Sequence, residues 1–216
     1  MIGRRAMVLA GASLVARPAA AALPVPPTNR IAFAMIRHDN DIGRHIVTFE
    51  SRGDILTVRV NVDAQVTFLS IPVVRYTHRA VETWNGDTLV SLTGETNRNG
   101  DHQWMNAHRT ERGLEVHGSA TKPYVAPENA LGITYWNKRQ LEVPMIGMDD
   151  GILQRPKVEF RRTENIPLAG GAGTIAANHY NLSGAFSADV WYDRSDAWAG
   201  FAFPIADTSI IHYERL

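Results

Sequence analysis

Eight histidines are the residues of this chain best suited to bind a metal or transfer a proton. They stand at His38, His45, His78, His102, His108, His117, His179 and His212. None of them forms His-x-His or His-Glu-x-x-His, the short spacings that bring two imidazoles to one zinc ion. His102 and His108 share one face of an expected strand, but six residues of strand separate them by about 20 Å. The sequence therefore predicts no metal site and no cofactor.

Nucleophilic catalysis would need a serine on a sharp turn, with a histidine and a carboxylate close to it in space. The chain contains no Gly-x-Ser-x-Gly motif, and Leu182-Ser183-Gly184 falls within an expected strand. The paired acids Asp149 and Asp150 precede Gly151, a pattern typical of a turn. A triad assembled from separate strands leaves no local motif, so a hydrolase stays open as an alternative. On balance the residues favour a protein that is not an enzyme.

The aromatic side chains are more informative, because they are spaced throughout the expected strands. In a β-roll or barrel, inward aromatic rings line pockets for apolar ligands, and such rings also fill solid cores. Both interpretations stay open at this point. The candidate ligand-binding residues are Trp84, Trp104, Tyr135, Trp136, Trp191, Tyr192 and Asp193.

Turn signals roughly every 8–12 residues predict a series of antiparallel strands to hold these side chains. The alternation is clearest over Ile55–Val66, where Leu56, Val58, Val60 and Val62 share one face. A long strand or a strand pair is expected over Thr67–Trp84, with a bend at Pro72, since proline donates no ladder hydrogen bond. Further strands are expected over Ile31–Arg37, Arg44–Ser51, Leu89–Thr96, His102–Thr110, Leu114–Ala120, Ile152–Thr163, Thr174–Asp193, Ala197–Pro204 and Thr208–Leu216.

This pattern is interrupted between Pro123 and Pro144. Helical turns over Ala126–Leu131 and Tyr135–Leu141 form the expected helical segment. The fold class that follows is mainly β, a single antiparallel β-roll or open barrel with one short helical excursion. The domain is expected over residues 31–216, after a proline-rich spacer at residues 23–30.

Residues 1–22 are typical of an export signal peptide. Arg4 and Arg5 precede an apolar run over Ala6–Ala16, and Ala20 and Ala22 fit cleavage before Leu23. The run is too short to span about 30 Å of hydrocarbon as a helix, so no transmembrane segment is expected. The arginine pair also resembles a twin-arginine signal, and the Sec and twin-arginine routes both stay open. We expect a periplasmic protein.

Charge and cysteine content exclude several classes of partner. The chain of 216 residues has 22 basic and 22 acidic residues and no cysteine. The leader holds three arginines and no acid, so its removal leaves a formal charge of −3. A mildly acidic domain disfavours nucleic acid as a partner. Without cysteine the chain has no disulfide, no thiolate metal site and no lipid anchor.

Several short motifs follow one another across most of the chain. They include Ile71–Arg79, Glu82–Gly86, Leu89–Leu92, Thr96–Gly100, Thr134–Asn137, Tyr180–Gly184 and Trp191–Asp193. In this order they resemble an uncharacterised family of exported proteobacterial proteins, a domain of unknown function with a layout similar to periplasmic β-rolls. The resemblance implies no catalytic residues. The family's commoner Thr-Ser-Tyr-Trp-Asn pattern is Ile133–Asn137 here, with Thr134 at the serine position.

The leading hypothesis is a non-enzymatic exported protein that binds a small apolar or amphipathic ligand, or an envelope protein, in an aromatic-lined concavity. Tyr135–Arg139 and Trp191–Asp193 would border that concavity. One alternative is a hydrolase-type enzyme whose histidine and aspartate converge from separate strands. Another is a structural envelope component that acts through an exposed sheet edge.

Overall fold

The computed structural model describes residues 23–68 and 71–216. The predicted leader, residues 1–22, lies outside the described residues. The first run of strands is β1 (Arg30–Arg37), β2 (Asn40–Arg52), β3 (Ile55–Phe68), β4 (Ile71–Asn85), β5 (Thr88–Arg98), β6 (Asp101–Thr110), β7 (Gly113–Gly118) and β8 (Thr121–Ala126). Three short strands follow, β9 (Leu131–Gly132), β10 (Met145–Ile146) and β11 (Leu153–Gln154). The last run is β12 (Lys157–Pro167), β13 (Thr174–Ser183), β14 (Ala188–Asp193), β15 (Trp198–Pro204) and β16 (Ile210–Arg215).

Thirteen of these strands form one antiparallel sheet, in the order β12-β13-β14-β15-β16-β1-β2-β3-β4-β5-β6-β7-β8. Two meanders therefore join where β16 pairs with β1. Short hairpin turns at Gly53 and Gly86, both with positive φ, explain why consecutive strands are neighbours. The predicted mainly β, antiparallel fold is confirmed, and the large sheet is not closed into a barrel.

The large sheet curves around its core. A flat sheet of thirteen strands would be about 58 Å across, because neighbouring strands lie about 4.8 Å apart. Yet one hydrophobic cluster joins residues from Ala126 on β8 to Leu182 on β13. On β3, Leu56, Val58 and Val60 face this cluster, as their alternation predicts. The inner face is therefore the place where residues distant in sequence meet.

Residues 127–156, the crossing segment, connect β8 to β12 and cover part of the inner face. The segment carries the small sheet β11-β10-β9 and a 3-10 helix at Lys138–Glu142. The helical excursion predicted over Tyr135–Leu141 is thus present but begins later, after Asn137 accepts a hydrogen bond from the Arg139 N–H. The other predicted turn, over Ala126–Leu131, is not a helix, since β8 ends and β9 begins there.

Two long regions of expected strand are each divided in the structure. Over Thr67–Trp84 the structure has a strand pair, one of the two expected arrangements: β3 extends to Phe68 and β4 begins at Ile71, with Pro72 opposite Thr67. The expected strand over Thr174–Asp193 divides into β13 and β14 around Gly184, whose φ of 89° suits a turn. Within the described residues, no helix has the length and apolarity needed to cross a membrane.

Two glycines let the crossing segment lie directly on the sheet. A Cβ at Gly94 on β5 would lie 1.9 Å from the Met148 carbonyl oxygen. A Cβ at Gly118 on β7 would lie 2.0 Å from the Asp150 carbonyl oxygen. Only glycine permits so close an approach. Together these contacts fix the backbone on either side of Asp149.

Candidate functional site

An open cavity of about 910 Å³ lies between the inner face of the sheet and the crossing segment. Its apolar wall comes chiefly from β1, β2, β3, β15 and β16. The side chains of this wall include Met35, Ile42, Val60, Val62, Ala64, Phe201, Phe203 and Ile211. The crossing segment closes the opposite side through residues 133–135 and 147–150.

Strand register brings the polar residues of the cavity together. Val62 pairs with His78 across β3 and β4, and His78 pairs with Thr96 across β4 and β5. Tyr76 and Arg98 form the next pair on the same face. Because side chains alternate with a period of two, all these groups point to the inner side.

Asp149, on the crossing segment, reaches into this polar group. Its Oδ1 accepts a hydrogen bond of 2.6 Å from the Thr96 hydroxyl and lies 3.1 Å from His78 Nδ1. His78 Nδ1 also lies 2.8 Å from Thr96 Oγ1. Burial raises the pKa of Asp149, but the hydrogen bonds from His78 and Thr96 and the nearby charges outweigh it, so the net pKa is lowered. Asp149 is therefore ionised at neutral pH.

The charged groups of the cavity wall nearly balance. They are Arg37, Arg98, Asp149, Asp150 and Asp207. Arg37 forms an ion pair with Asp207. The Arg98 guanidinium lies 5.6 Å from the centre of the Tyr76 ring, within cation–π range. The wall carries a formal charge of −1 when its histidines are neutral.

His45 also lines the cavity, but its ring nitrogens are enclosed. It is 7% exposed, and neither Nδ1 nor Nε2 has a hydrogen-bond partner within the described part of the chain. The rings of Phe33, Trp198 and Tyr213 surround it, with centroids 5.0–6.5 Å away. Burial lowers the pKa of His45 to about 3. His45 is therefore a neutral imidazole in an aromatic shell.

Glu82, on β4, anchors the crossing segment in the solid part of the core. Its Oε1 accepts a 2.6 Å hydrogen bond from the Thr134 hydroxyl. Its Oε2 accepts hydrogen bonds of 2.8 Å and 2.9 Å from the indole N–H groups of Trp84 and Trp136. Glu82 is 1% exposed, and burial raises its pKa although the three hydrogen bonds act in the opposite direction. Through its hydroxyl, Thr134 thus attaches the crossing segment to β4.

The structure separates the seven predicted ligand-binding residues. Of these, Tyr135 lines the cavity. Trp84, Trp136 and Tyr192 fill the core. Trp104 is 45% exposed on β6. The remaining two lie elsewhere: Trp191 stacks on His179 and donates to Glu164, and Asp193 caps a turn and pairs with Arg215.

His179 has acidic neighbours as well, but it does not line the cavity. Its Nε2 lies 2.7 Å from Asp189 and its Nδ1 lies 3.1 Å from Glu164. Trp191 stacks on the ring at 4.5 Å. Nε2 is hydrogen-bonded to Asp189, whereas the buried Nδ1 has no hydrogen-bond partner among the described residues although Glu164 is near it. Among the described side chains, no group of three histidines or acids is arranged to hold a metal ion.

Sequence reasoning missed the polar group around Asp149. One local signal existed, because His78, Ala80, Glu82 and Trp84 alternate on one face of β4 and are all buried. A carboxylate and an imidazole on the buried face of a strand indicate hydrogen-bond partners in the interior. No comparable signal marked Asp149, which lies 53 residues from Thr96 along the chain.

Comparison with protein families gives one result. A family model described as a domain of unknown function, DUF6134, matches residues 33–216. The match covers almost all of the described residues, including the large sheet and the crossing segment. No curated protein matches the chain.

Proposed function

The chain belongs to the DUF6134 family, and we propose that it binds a small amphipathic ligand in the cavity beneath the crossing segment. The observation that carries this proposal is an open cavity of about 910 Å³ with a mainly apolar wall and a few polar side chains, among them His78, Arg98 and Asp149. Ligand pockets in proteins have volumes of about 300–1,000 Å³ and combine apolar walls with a few convergent polar groups.

The same residues argue against acyl transfer by a catalytic triad. A triad needs its nucleophile at one imidazole nitrogen and its carboxylate at the other. Here Thr96 and Asp149 both lie at His78 Nδ1. The Thr96 hydroxyl donates to Asp149 and not to His78, so the imidazole does not receive its proton as the base of a triad would. The geometry therefore favours binding over the hydrolase alternative.

The sheet edges give little support to a structural component that pairs through them. β12 is an edge strand with a bulge between Phe160 and Arg162 and five charged side chains. β8, the other edge, is six residues long and contains Pro123. Charges, bulges, prolines and short length are the features that prevent edge pairing.

Fluorescence of N-phenyl-1-naphthylamine, an uncharged apolar probe, tests the proposal. We expect saturable binding to the wild type and loss of that binding in Ala64→Trp, because Ala64 lines the cavity and an indole would fill it. Gln65→Trp is the matched control, since Gln65 is the exposed next residue on the same strand. Equal binding by the two variants, or no binding by the wild type, would contradict the proposal.

We also propose that the protein acts after export and removal of residues 1–22. The basic pair, apolar run and Ala-x-Ala site of the sequence support this. Mass spectrometry of protein isolated from the envelope fraction of a Gram-negative host tests it. A mature chain that begins at Leu23 is the expected result, and an intact chain in the cytoplasm would refute export. Substituting lysines for Arg4 and Arg5 separates the routes, because only twin-arginine export should stop.

A further inference from the structure

We propose that the ligand of this cavity is an uncharged amphiphile whose polar head donates a hydrogen bond to His78 Nε2. This inference rests on the proposed ligand-binding function and names the chemical class of the ligand. Long-chain alcohols and N–H-bearing neutral amphiphiles belong to this class. Three observations carry it: the position of the proton on His78, the accessibility of Nε2 and the charge of the cavity wall.

The surroundings of His78 place its proton on Nδ1. The Thr96 hydroxyl gives its hydrogen to Asp149, so Thr96 Oγ1 presents lone pairs to His78. The ionised Asp149 carboxylate presents lone pairs to the same nitrogen at 3.1 Å. With two acceptors at Nδ1, this nitrogen must carry the hydrogen, and in a neutral imidazole Nε2 is then an acceptor.

The acceptor nitrogen is open to the cavity. The His78 side chain is 8% exposed and lines the cavity wall. Its Nε2 has no hydrogen-bond partner in residues 23–68 and 71–216. Unlike the ring nitrogens of His45, it is not fully buried. An imidazole fixed at one nitrogen and accessible at the other is preorganised for a donor on the ligand. The groups that hold it, Thr96 and Asp149, come from β5 and the crossing segment.

The charge of the wall selects against an acidic head group. Three aspartates and two arginines line the cavity, and Arg37 is already paired with Asp207. Asp149 lies beside His78, so an anionic head at Nε2 would approach a carboxylate of the same sign. Arg98 supplies a positive charge in the same wall, and its guanidinium lies over the Tyr76 ring. An uncharged donor meets no such repulsion.

Competition against bound N-phenyl-1-naphthylamine at pH 8 tests the head group. The competitors are 1-decanol, its methyl ether and decanoate, which differ in whether the head donates, only accepts or carries charge. We expect 1-decanol to bind about fivefold to tenfold more tightly than the ether, the effect of one hydrogen bond. Equal affinities for alcohol and ether would overturn the inference, and so would tighter binding of decanoate, which would indicate an anion site at Arg98.

Substitutions at His78 provide a second test of the hydrogen bond to Nε2. His78→Leu should abolish the preference for alcohol over ether while the probe still binds, and His78→Gln, which keeps an acceptor oxygen, should restore part of it. His108→Leu is the control and should keep the full preference, because His108 is an exposed residue of β6. A preference that survives His78→Leu would overturn the inference but leave the cavity proposal intact. Failure of the probe to bind the wild type would instead remove the proposed function itself.

Discussion

Two carboxylates join the crossing segment to the large sheet, and their surroundings are opposite in kind. Glu82 is 1% exposed and accepts hydrogen bonds from Trp84, Trp136 and Thr134. The Asp149 side chain is 39% exposed and is held by Thr96 and His78. One lies in solid core and the other at the cavity.

The comparison shows that burial of a carboxylate does not by itself mark a functional site. At Glu82 every partner is a neutral donor whose single hydrogen is used, so nothing is left to contact a ligand. At Asp149 one partner is His78, an imidazole with a second nitrogen that has no hydrogen-bond partner among the described residues. A carboxylate is therefore better judged as a functional group by whether its partner keeps a hydrogen-bonding atom available to a ligand than by its own perturbed pKa.

The largest expected effect concerns Glu82. Glu82→Leu leaves three buried donors without an acceptor, and we expect a loss of about 4 kcal/mol in the free energy of unfolding. Asp149→Leu should cost about 1–2 kcal/mol, because solvent at the cavity can reach the donors it leaves. Urea denaturation measures both, with the exposed Glu50→Leu as control. If Glu82→Leu does not fold, Glu82→Gln should show an intermediate loss. Equal losses at residues 82 and 149 would contradict the difference between the core carboxylate and the cavity carboxylate.

A smaller loss in the free energy of unfolding is expected when either of two valines on the same face of β3 is truncated. Val58 is fully buried in the core, while Val62 lines the cavity. Val58→Ala should cost about 2 kcal/mol, since it leaves a void among packed side chains. Val62→Ala should cost about 1 kcal/mol or less, because that side chain already lacks neighbours on its cavity side. Thermal denaturation of both variants checks the difference, and a larger loss at Val62 would mean that the cavity is closed in solution.

Much of the fold could be predicted from the sequence, because it depends on local patterns. The alternation of Leu56, Val58 and Val60 indicates which face of β3 is buried, and Gly53 and Gly86 mark two of the hairpins. Hairpin connections then determine most strand neighbours. The pairing of β16 with β1 and the curvature of the sheet have no such local cause, and they follow from burying the inner face.

The cavity could not be predicted in this way. It exists because residues 147–150 lie on Gly94 and Gly118 and extend Asp149 toward β4 and β5. A turn-like Asp-Asp-Gly sequence carries no information about the strands beneath it. The positions of the aromatic residues could not be predicted for a related reason. Trp84 and Trp136 suit a pocket or a core equally, and the acceptor that fixes them in the core, Glu82, is 54 residues from Trp136.

The smallest change in the free energy of unfolding at neutral pH is expected for His45, which belongs to both the core and the cavity wall. It lines the cavity, but its nitrogens are buried among Phe33, Trp198 and Tyr213. His45→Leu removes two unpaired polar atoms from the interior, so at pH 8 the variant should equal the wild type or exceed it by about 1 kcal/mol in unfolding free energy. A clear loss of stability at pH 8 would show that the nitrogens have partners.

The pH dependence of the same variant gives the sharper result. The pKa of His45 is about 3 in the folded protein, against 6.5 for an unperturbed histidine. Between these values the unfolded chain binds a proton that the folded protein does not, so wild-type stability falls as the pH decreases from 6.5 toward 3. His45→Leu lacks this proton uptake, and its advantage over the wild type should grow from pH 7 to pH 4 in urea titrations. The exposed His102→Leu is the control and should show no such growth, whereas a constant gap for His45→Leu would mean that the imidazole is already accessible to protons through the cavity.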